Sequence, residues 1–260
     1  MRLIVTRPAA QAAAWVAALQ ALGLDAQALP LIRIAALHDL APVQAAWRAL
    51  DSLALDSLAL VMFVSANAVE HFFAARPLGA VWPDAVLAGS TGPGTTAALR
   101  SAGVKQVEEP AADATQFDTE ALWARLAWRN WQGARVLVVR GEDGREWLAD
   151  TLRKHGAEVS FVAAYRRLPP LLDAAGRTLL AQAQARPEQH VWLFSSSEAV
   201  AHLQALTDAR AWTAAQAFAS HPRIAHAARQ AGFGRVELVA ATPQAVALQL
   251  SRTGPGPCPP

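Results

Sequence analysis

Two arginines each follow a short apolar run and open a turn before a stretch of helical period: Arg7 in "LIVTRPAAQAAAWVAALQALGLDA" and Arg140 in "VLVVRGEDGREWLADTLRKHGAEV". Loops rich in Gly, Ser, Thr and Asn occupy comparable places at "VSAN" (64–67), "GSTGPGT" (89–95), "SSSE" (195–198) and "ASHP" (219–222). A helix that starts at such a loop exposes unpaired backbone amides, which carry partial positive charge and receive carboxylates or phosphates. For any single loop, plain N-capping by Ser, Thr or Asn is the simpler reading. Six loops of one kind, two of them with an arginine, point together to anion binding. The chain's one tyrosine, Tyr165, adds a hydroxyl that is protonated at neutral pH and suited to proton or hydrogen-bond donation. A tyrosine with an apolar body and a solvated tip is the equal alternative.

Other chemistries find little support. The seven histidines form no i, i+4 pair on a helix and no His-Glu cluster, so no metal site is expected. His71 and His202 read as packing residues, whereas His221 lies in a strand-end loop. The single cysteine, Cys258, excludes disulfides within the chain and cysteine-rich metal sites. Ser195, Ser196 and Ser197 lack the G-x-S-x-G context of a nucleophile elbow and read as caps or hydrogen-bond donors. "GPGTTA" (92–97) fits a dinucleotide fingerprint, but Glu108 and Glu109 come too early for the acidic partner such a site requires. It reads instead as a tight turn that aims amides. A formal charge of +2 without a basic stripe argues against nucleic acid. No apolar run is long enough for a membrane span or signal peptide, so a cytoplasmic protein is expected.

The elements that must position these residues alternate. Apolar strands are expected at 2–6, 60–65, 86–90, 104–108, 135–139, 190–195, 215–220 and 235–240, with longer extended stretches at 26–36 and 158–168. Helices are expected near 9–22, 42–50, 67–75, 94–102, 116–128, 144–155, 171–185, 198–206, 222–231 and 243–251. Strands this apolar between helices indicate parallel sheets covered on both faces. The pattern also repeats. Residues 3–26 match 136–159, "FVSANAV" (63–69) matches "FSSSEAV" (194–200), and "PGTTAALRSAG" (93–103) matches "PRIAHAARQAG" (222–232), whose turn lacks the glycines of "GPGTTA". The order is preserved, which makes this a collinear duplication. Tyr165 then pairs with Ile32, so its hydroxyl lies on one side of the pseudo-symmetry only. The long extended stretches are where the chain would pass from one sheet to the other. Ligands bind at the carboxyl ends of strands in such sheets, so a common cleft is expected there.

These motifs, with "RGEDGREWLADTLRKHGAEV" (140–159), "YRR" (165–167) and "SHPRIAHAARQAGF" (220–233), resemble the uroporphyrinogen-III synthase family over nearly the whole chain. The resemblance implies two flavodoxin-like α/β domains with parallel sheets, an internal duplication with swapped parts, joined by a two-stranded β-ladder. The discontinuous domain would comprise 1–35 and 171–252, the inserted domain 36–170, and 253–260 a disordered tail. It implies cyclisation of hydroxymethylbilane to uroporphyrinogen III, with inversion of the last ring and loss of water, without cofactor or metal. It further implies a monomer and transient contact with the preceding pathway enzyme. Tyr165 would donate to the leaving hydroxyl. Thr95 or Thr96, Ser65, Asn67, Gly141, Ser196, Ser197, Ser220 and His221 would bind substrate, with Arg7 and Arg140 supplying charge or linking strand to connector. Where some members carry a second Gly-Pro-Thr-Thr turn, this chain has Ser220-His221-Pro222-Arg223, so no threonine role carries over there; Val64 likewise replaces a frequent threonine. On residues alone, a two-domain ligand sensor without catalysis shares the plan, and a nucleotide-dependent transferase would rest on "GPGTTA".

Overall fold

Short runs of Val, Leu, Ile and Phe followed by amphipathic stretches fold as alternating strands and helices. The computed structural model describes residues 1–51, 58–111, 114, 117–207 and 212–253. The elements are β1 (Arg2–Val5), α1 (Ala9–Ala21), β2 (Ala26–Ala28), β3 (Arg33–Ala36), α2 (Ala41–Asp51), β4 (Leu60–Phe63) and α3 (Ala66–Ala74). Then come β5 (Leu87–Ser90), α4 (Pro93–Ser101), β6 (Val107–Glu108), α5 (Thr119–Leu126), β7 (Arg135–Gly141), α6 (Trp147–Lys154) and β8 (Glu158–Leu168). The chain continues with α7 (Ala174–Ala185), β9 (His190–Phe194), α8 (Ser197–Leu206), β10 (Gln216–Ala219), α9 (Pro222–Gln230), β11 (Arg235–Leu238) and α10 (Pro243–Thr253). The tail expected to be disordered lies, apart from Thr253, outside the described residues.

The two long extended stretches part company. Residues 158–168 form one strand, whereas 26–36 divide into β2 and β3 around Pro30, which has no amide to donate to a ladder. The intervening Leu29 and Leu31 amides bond back to Val5 and Thr6 carbonyls at 2.9 and 3.2 Å, keeping that segment beside β1.

The residues divide into two compact units, Met1–Arg33 with the chain from Leu168 onward, and Ile34–Arg167. The first holds the sheet β11-β10-β9-β1-β2, in parallel pairing throughout. The second holds β3-β8-β7-β4-β5-β6, parallel from β8 to β6. When β7 and β8 are equated with β1 and β2, and β4, β5 and β6 with β9, β10 and β11, both sheets share one strand order. It is the 2-1-3-4-5 order of flavodoxin-like folds. The equated strands are those the sequence repeat pairs. Each sheet therefore takes its leading strand pair from one repeat and the three strands that follow in this order from the other repeat, with β3 as a sixth strand at the β8 edge of the second sheet.

In the second unit, one face of the sheet buries Val61, Phe63, Leu137 and Val139 against Trp47, Phe72 and Leu99. The other face buries Leu60, Met62, Val136 and Val138 against Leu122, Leu126, Leu148 and Leu152. In the first unit, Leu3, Val5, Val191 and Phe218 pack with Ala12, Leu19 and Val246. An aromatic group centred on Trp192 gathers Phe194, Trp212 and Phe233, with ring centroids 5.0–6.2 Å away.

Candidate active site

The strand-end loops fall into two groups by what their side chains do. Ser65 caps α3 by accepting from the Ala68 amide at 3.2 Å, Ser196 caps α8 from Glu198 at 3.1 Å, and His221 Nδ1 caps α9 from Arg223 at 3.2 Å. For these three the capping reading holds. The starts of α1, α4 and α6, at Pro8, Gly92 and Glu146, have no side-chain cap. At these starts no N-cap side chain competes with an anion for the helix amides, although in α4 Pro93 carries no amide and the Thr95 amide donates to the Gly92 carbonyl at 3.0 Å.

Tyr165 is carried by a β-bulge. β8 pairs with β7 so that Arg140 faces Ala163, and the next residue, Gly141, faces Tyr165. One residue of β8, Ala164, is extra. Regular alternation would put Tyr165 on the face of Phe161 and Val159, which pack with Leu148 and Leu152. The bulge turns it to the face of Val162 and Ala164, toward α3. There its ring stacks on His71 at 5.8 Å and 26°, and its hydroxyl lies 3.1 Å from Ser65 Oγ. Tyr165 is only 2% exposed, so its hydroxyl is not open to solvent but stands behind the half-buried Ser65.

Gly141 makes room for this ring. A Cβ on it would stand 3.3 Å from Tyr165 Cζ and 3.4 Å from Cε2, tighter than a relaxed carbon contact. Gly141→Ala is therefore expected to shift the phenol by a few tenths of an ångström, and, if the phenol serves the reaction, to lower kcat about tenfold with little change in KM. Steady-state kinetics checks this; unchanged kcat would mean the ring position does not matter.

Thr96 and Thr95 separate in role. The Thr96 hydroxyl donates to Glu109 Oε2 at 2.7 Å and lies 2.9 Å from Ser90 Oγ, which itself accepts from the Gly92 amide at 3.1 Å. Thr96 thus braces the turn that starts α4. Thr95 is buried in the same turn. Thr91 Oγ1 donates to the Val64 carbonyl at 3.2 Å, tying the α4 turn to the α3 turn beside Ser65. Sequence reading missed this link and the Glu109 brace, since both join loops distant in the chain. Asn67 is buried on α3, and Ser197 is exposed at the start of α8. The Ser220 amide donates to the Phe194 carbonyl at 3.2 Å.

The two matched arginines are not equivalent. Arg140 lies 4.1 Å over the Phe161 ring and donates through both terminal nitrogens to Glu146 Oε1 at 3.2 Å. Arg7 lies 4.3 Å over the Trp15 ring, with Gln11 Oε1 at 3.5 Å, and its Nε is buried without a partner. Burial pushes the Arg7 guanidinium down to about 10, so it remains charged at neutral pH. His71 and His202 also hold matched places: His71 stacks on Tyr165, and His202 Nδ1 meets the Leu31 carbonyl at 2.7 Å, next to Ile32, the counterpart of Tyr165.

Two surface cavities lie apart from the Tyr165–Ser65 pair. One of about 810 Å³ is lined by Arg2, Asp25 and His190, at the opposite end of β1 from Arg7. Another of about 570 Å³ is lined by Glu108, Glu109 and Arg125, and its carboxylates would repel a polyanion. Among the described residues no cluster of His, Cys, Asp and Glu could hold a metal, and no helix is long and apolar enough to cross a membrane.

Comparison with known proteins adds an independent line. Residues 13–248 match the family model described as uroporphyrinogen-III synthase HemD. The chain is 34% identical over 175 residues to a uroporphyrinogen-III synthase of Salmonella typhimurium, covering 67% of this chain and 68% of that one. It is 31% identical over 188 residues to that of Escherichia coli K12, covering 71% and 72%. Among solved structures, a mutant uroporphyrinogen III synthase of Thermus thermophilus aligns over 97% of both chains with a TM-score of 0.60 and 19% identity. The Helicobacter pylori uroporphyrinogen-III synthetase aligns over 97% of this chain and 99% of that one, with a TM-score of 0.58 and 14% identity. These two establish likeness of fold.

Proposed function

Because the chain belongs to the uroporphyrinogen-III synthase family, and so is a hydro-lyase of tetrapyrrole biosynthesis, we propose that its Tyr165–Ser65 pair hydrogen-bonds the departing hydroxyl of hydroxymethylbilane. The observation that carries this is the 3.1 Å contact between the two hydroxyls at the start of α3. A serine hydroxyl accepts two hydrogen bonds and donates one. Ser65 Oγ accepts from the Ala68 amide, and Tyr165 can fill its second lone pair. With both lone pairs occupied, the serine proton points to the ligand, and each bond received makes that proton a stronger donor. Tyr165 thus acts from inside the unit, through a residue that reaches its surface. Loss of hydroxide needs such a donor, because the bare anion is a poor leaving group at neutral pH.

The remainder of the task is positional. Hydroxymethylbilane is a flexible chain with eight carboxylates, and it must close with its last ring inverted. Holding it in one geometry supplies much of the rate. The uncapped starts of α1 and α4 suit carboxylates, with Gly141, Thr95, Asn67, Ser196, Ser197, Ser220 and His221 shaping the loops around them. Incubating the purified protein with freshly prepared hydroxymethylbilane and resolving the isomers tests the function. Formation of the type I isomer at the uncatalysed rate would overturn it.

Ser65→Ala has a smaller expected effect than loss of the phenol. Removing the side chain vacates the space in front of Tyr165, where a water can bridge to the ligand at modest cost. We expect kcat to fall about tenfold and stability to fall by about 1 kcal/mol through the lost cap. Complete inactivation of a folded Ser65→Ala protein would contradict this distribution of roles.

A further inference from the structure

We infer that Arg7 is a receptor for one substrate carboxylate, and that this charge recognition is confined to one of the two repeats. The inference rests on the proposed function and concerns a residue whose role in it was left open. An arginine that leaves solvent normally does so paired with a carboxylate, because an unpaired buried charge is costly. Arg140 follows that rule, its guanidinium being neutralised by Glu146. Arg7, its repeat counterpart, stacks on Trp15 at 4.3 Å and touches only the neutral amide of Gln11 at 3.5 Å. It forms no ion pair with any described carboxylate, and its Nε–H is buried without an acceptor. The repeat position of Glu146 is Ala13, so the missing counter-ion is already visible in the sequence.

Arg7 follows β1 and stands one residue before Pro8, which opens the uncapped α1. The stack on Trp15 fixes the guanidinium plane and Nε–H is buried, which leaves the terminal nitrogens as the part able to meet a ligand. A planar fork of donors matches a carboxylate in two-point fashion. The ligand is thus an anionic arm of the tetrapyrrole, and binding it would supply the counter-ion that the fold omits. A pseudo-symmetric protein with both arginines free would present two similar cationic marks to a directional chain. With Arg140 internally neutralised, one mark remains.

The test uses two variants. Arg7→Met keeps an unbranched side chain against Trp15 and removes the charge, and Gln11→Glu places a carboxylate where the neutral amide stood, 3.5 Å from the guanidinium. Both are expected to raise KM for hydroxymethylbilane about tenfold or more with kcat within about threefold, the loss of one charge-assisted contact made equally in ground and transition state. The thermal midpoint of Arg7→Met is expected to equal or exceed that of the unaltered protein, since a desolvated charge has been removed. The inference is overturned if KM stays within about twofold in both variants. It is equally overturned if Arg7→Met lowers the midpoint while kcat falls, which would mark the arginine as structural. Failure of the unaltered protein to form the type III isomer would instead count against the proposed function itself.

Discussion

Replacing Tyr165 with phenylalanine is expected to lower kcat by about 10²–10³, the range for general-acid assistance, because the proposed relay through Ser65 then has no acid behind it. The variant stays folded, because the ring, which carries the packing against His71 and the core, is retained. KM is expected to change little, since the developing charge on the leaving oxygen exists only in the transition state. Single-turnover measurement of type III product, beside a thermal melt, decides the matter. Turnover at the unaltered rate would remove Tyr165 from the reaction and leave it a core residue. Combining Tyr165→Phe with Gly141→Ala should give less than the product of the two separate losses, because both act through one hydroxyl.

The second large effect concerns the fold of the first unit. Trp192 is fully buried on β9, stacked on Phe194 at 5.9 Å and edge-on to Trp212 at 5.0 Å, with Phe233 at 6.2 Å. Trp192→Ala removes the centre of that aromatic group and is expected to cost about 3–5 kcal/mol, combining lost transfer energy with a cavity that aromatic neighbours cannot fill. Domains are stable by only about 5–15 kcal/mol, so a partly unfolded protein with a strongly lowered melting temperature is expected. Hydrogen exchange should report the loss first in β9, β1 and β10, the strands paired around Trp192. Trp192→Phe should be much milder. Its indole Nε1–H is buried without a partner, so phenylalanine discards a polar group that the site does not satisfy. Equal tolerance of alanine and phenylalanine would show that the aromatic group does not carry this unit's stability.

Much of this architecture is readable along the chain because it depends on local rules. Strand and helix positions follow from apolar runs, their periodicity and the glycines between them, and the structure reproduces both repeats with matching strand order. The α6 start moved from the expected 144 to Trp147, as the polar "GEDGRE" forms a turn whose Arg140 and Glu146 bond each other rather than wind. The sites of helix capping were legible too, though composition did not tell which loops would cap themselves. That depended on whether one side chain reached back to its own helix, as Ser65, Ser196 and His221 do and Pro8 and Gly92 cannot.

By itself the sequence determined the duplication, the parallel sheets, the loop chemistry and the asymmetry that gives one repeat a tyrosine and the other an arginine without a nearby acid. Only the tertiary structure decided that Tyr165 is buried behind Ser65, that Gly141 admits its ring, and that Thr96 answers to Glu109. The physical reason is the range of the interactions. Propensity and capping act over a few residues and are written consecutively, whereas a bulge that re-aims one side chain arises from the register between two strands. A register is a property of the packed pair, and no stretch of either strand contains it.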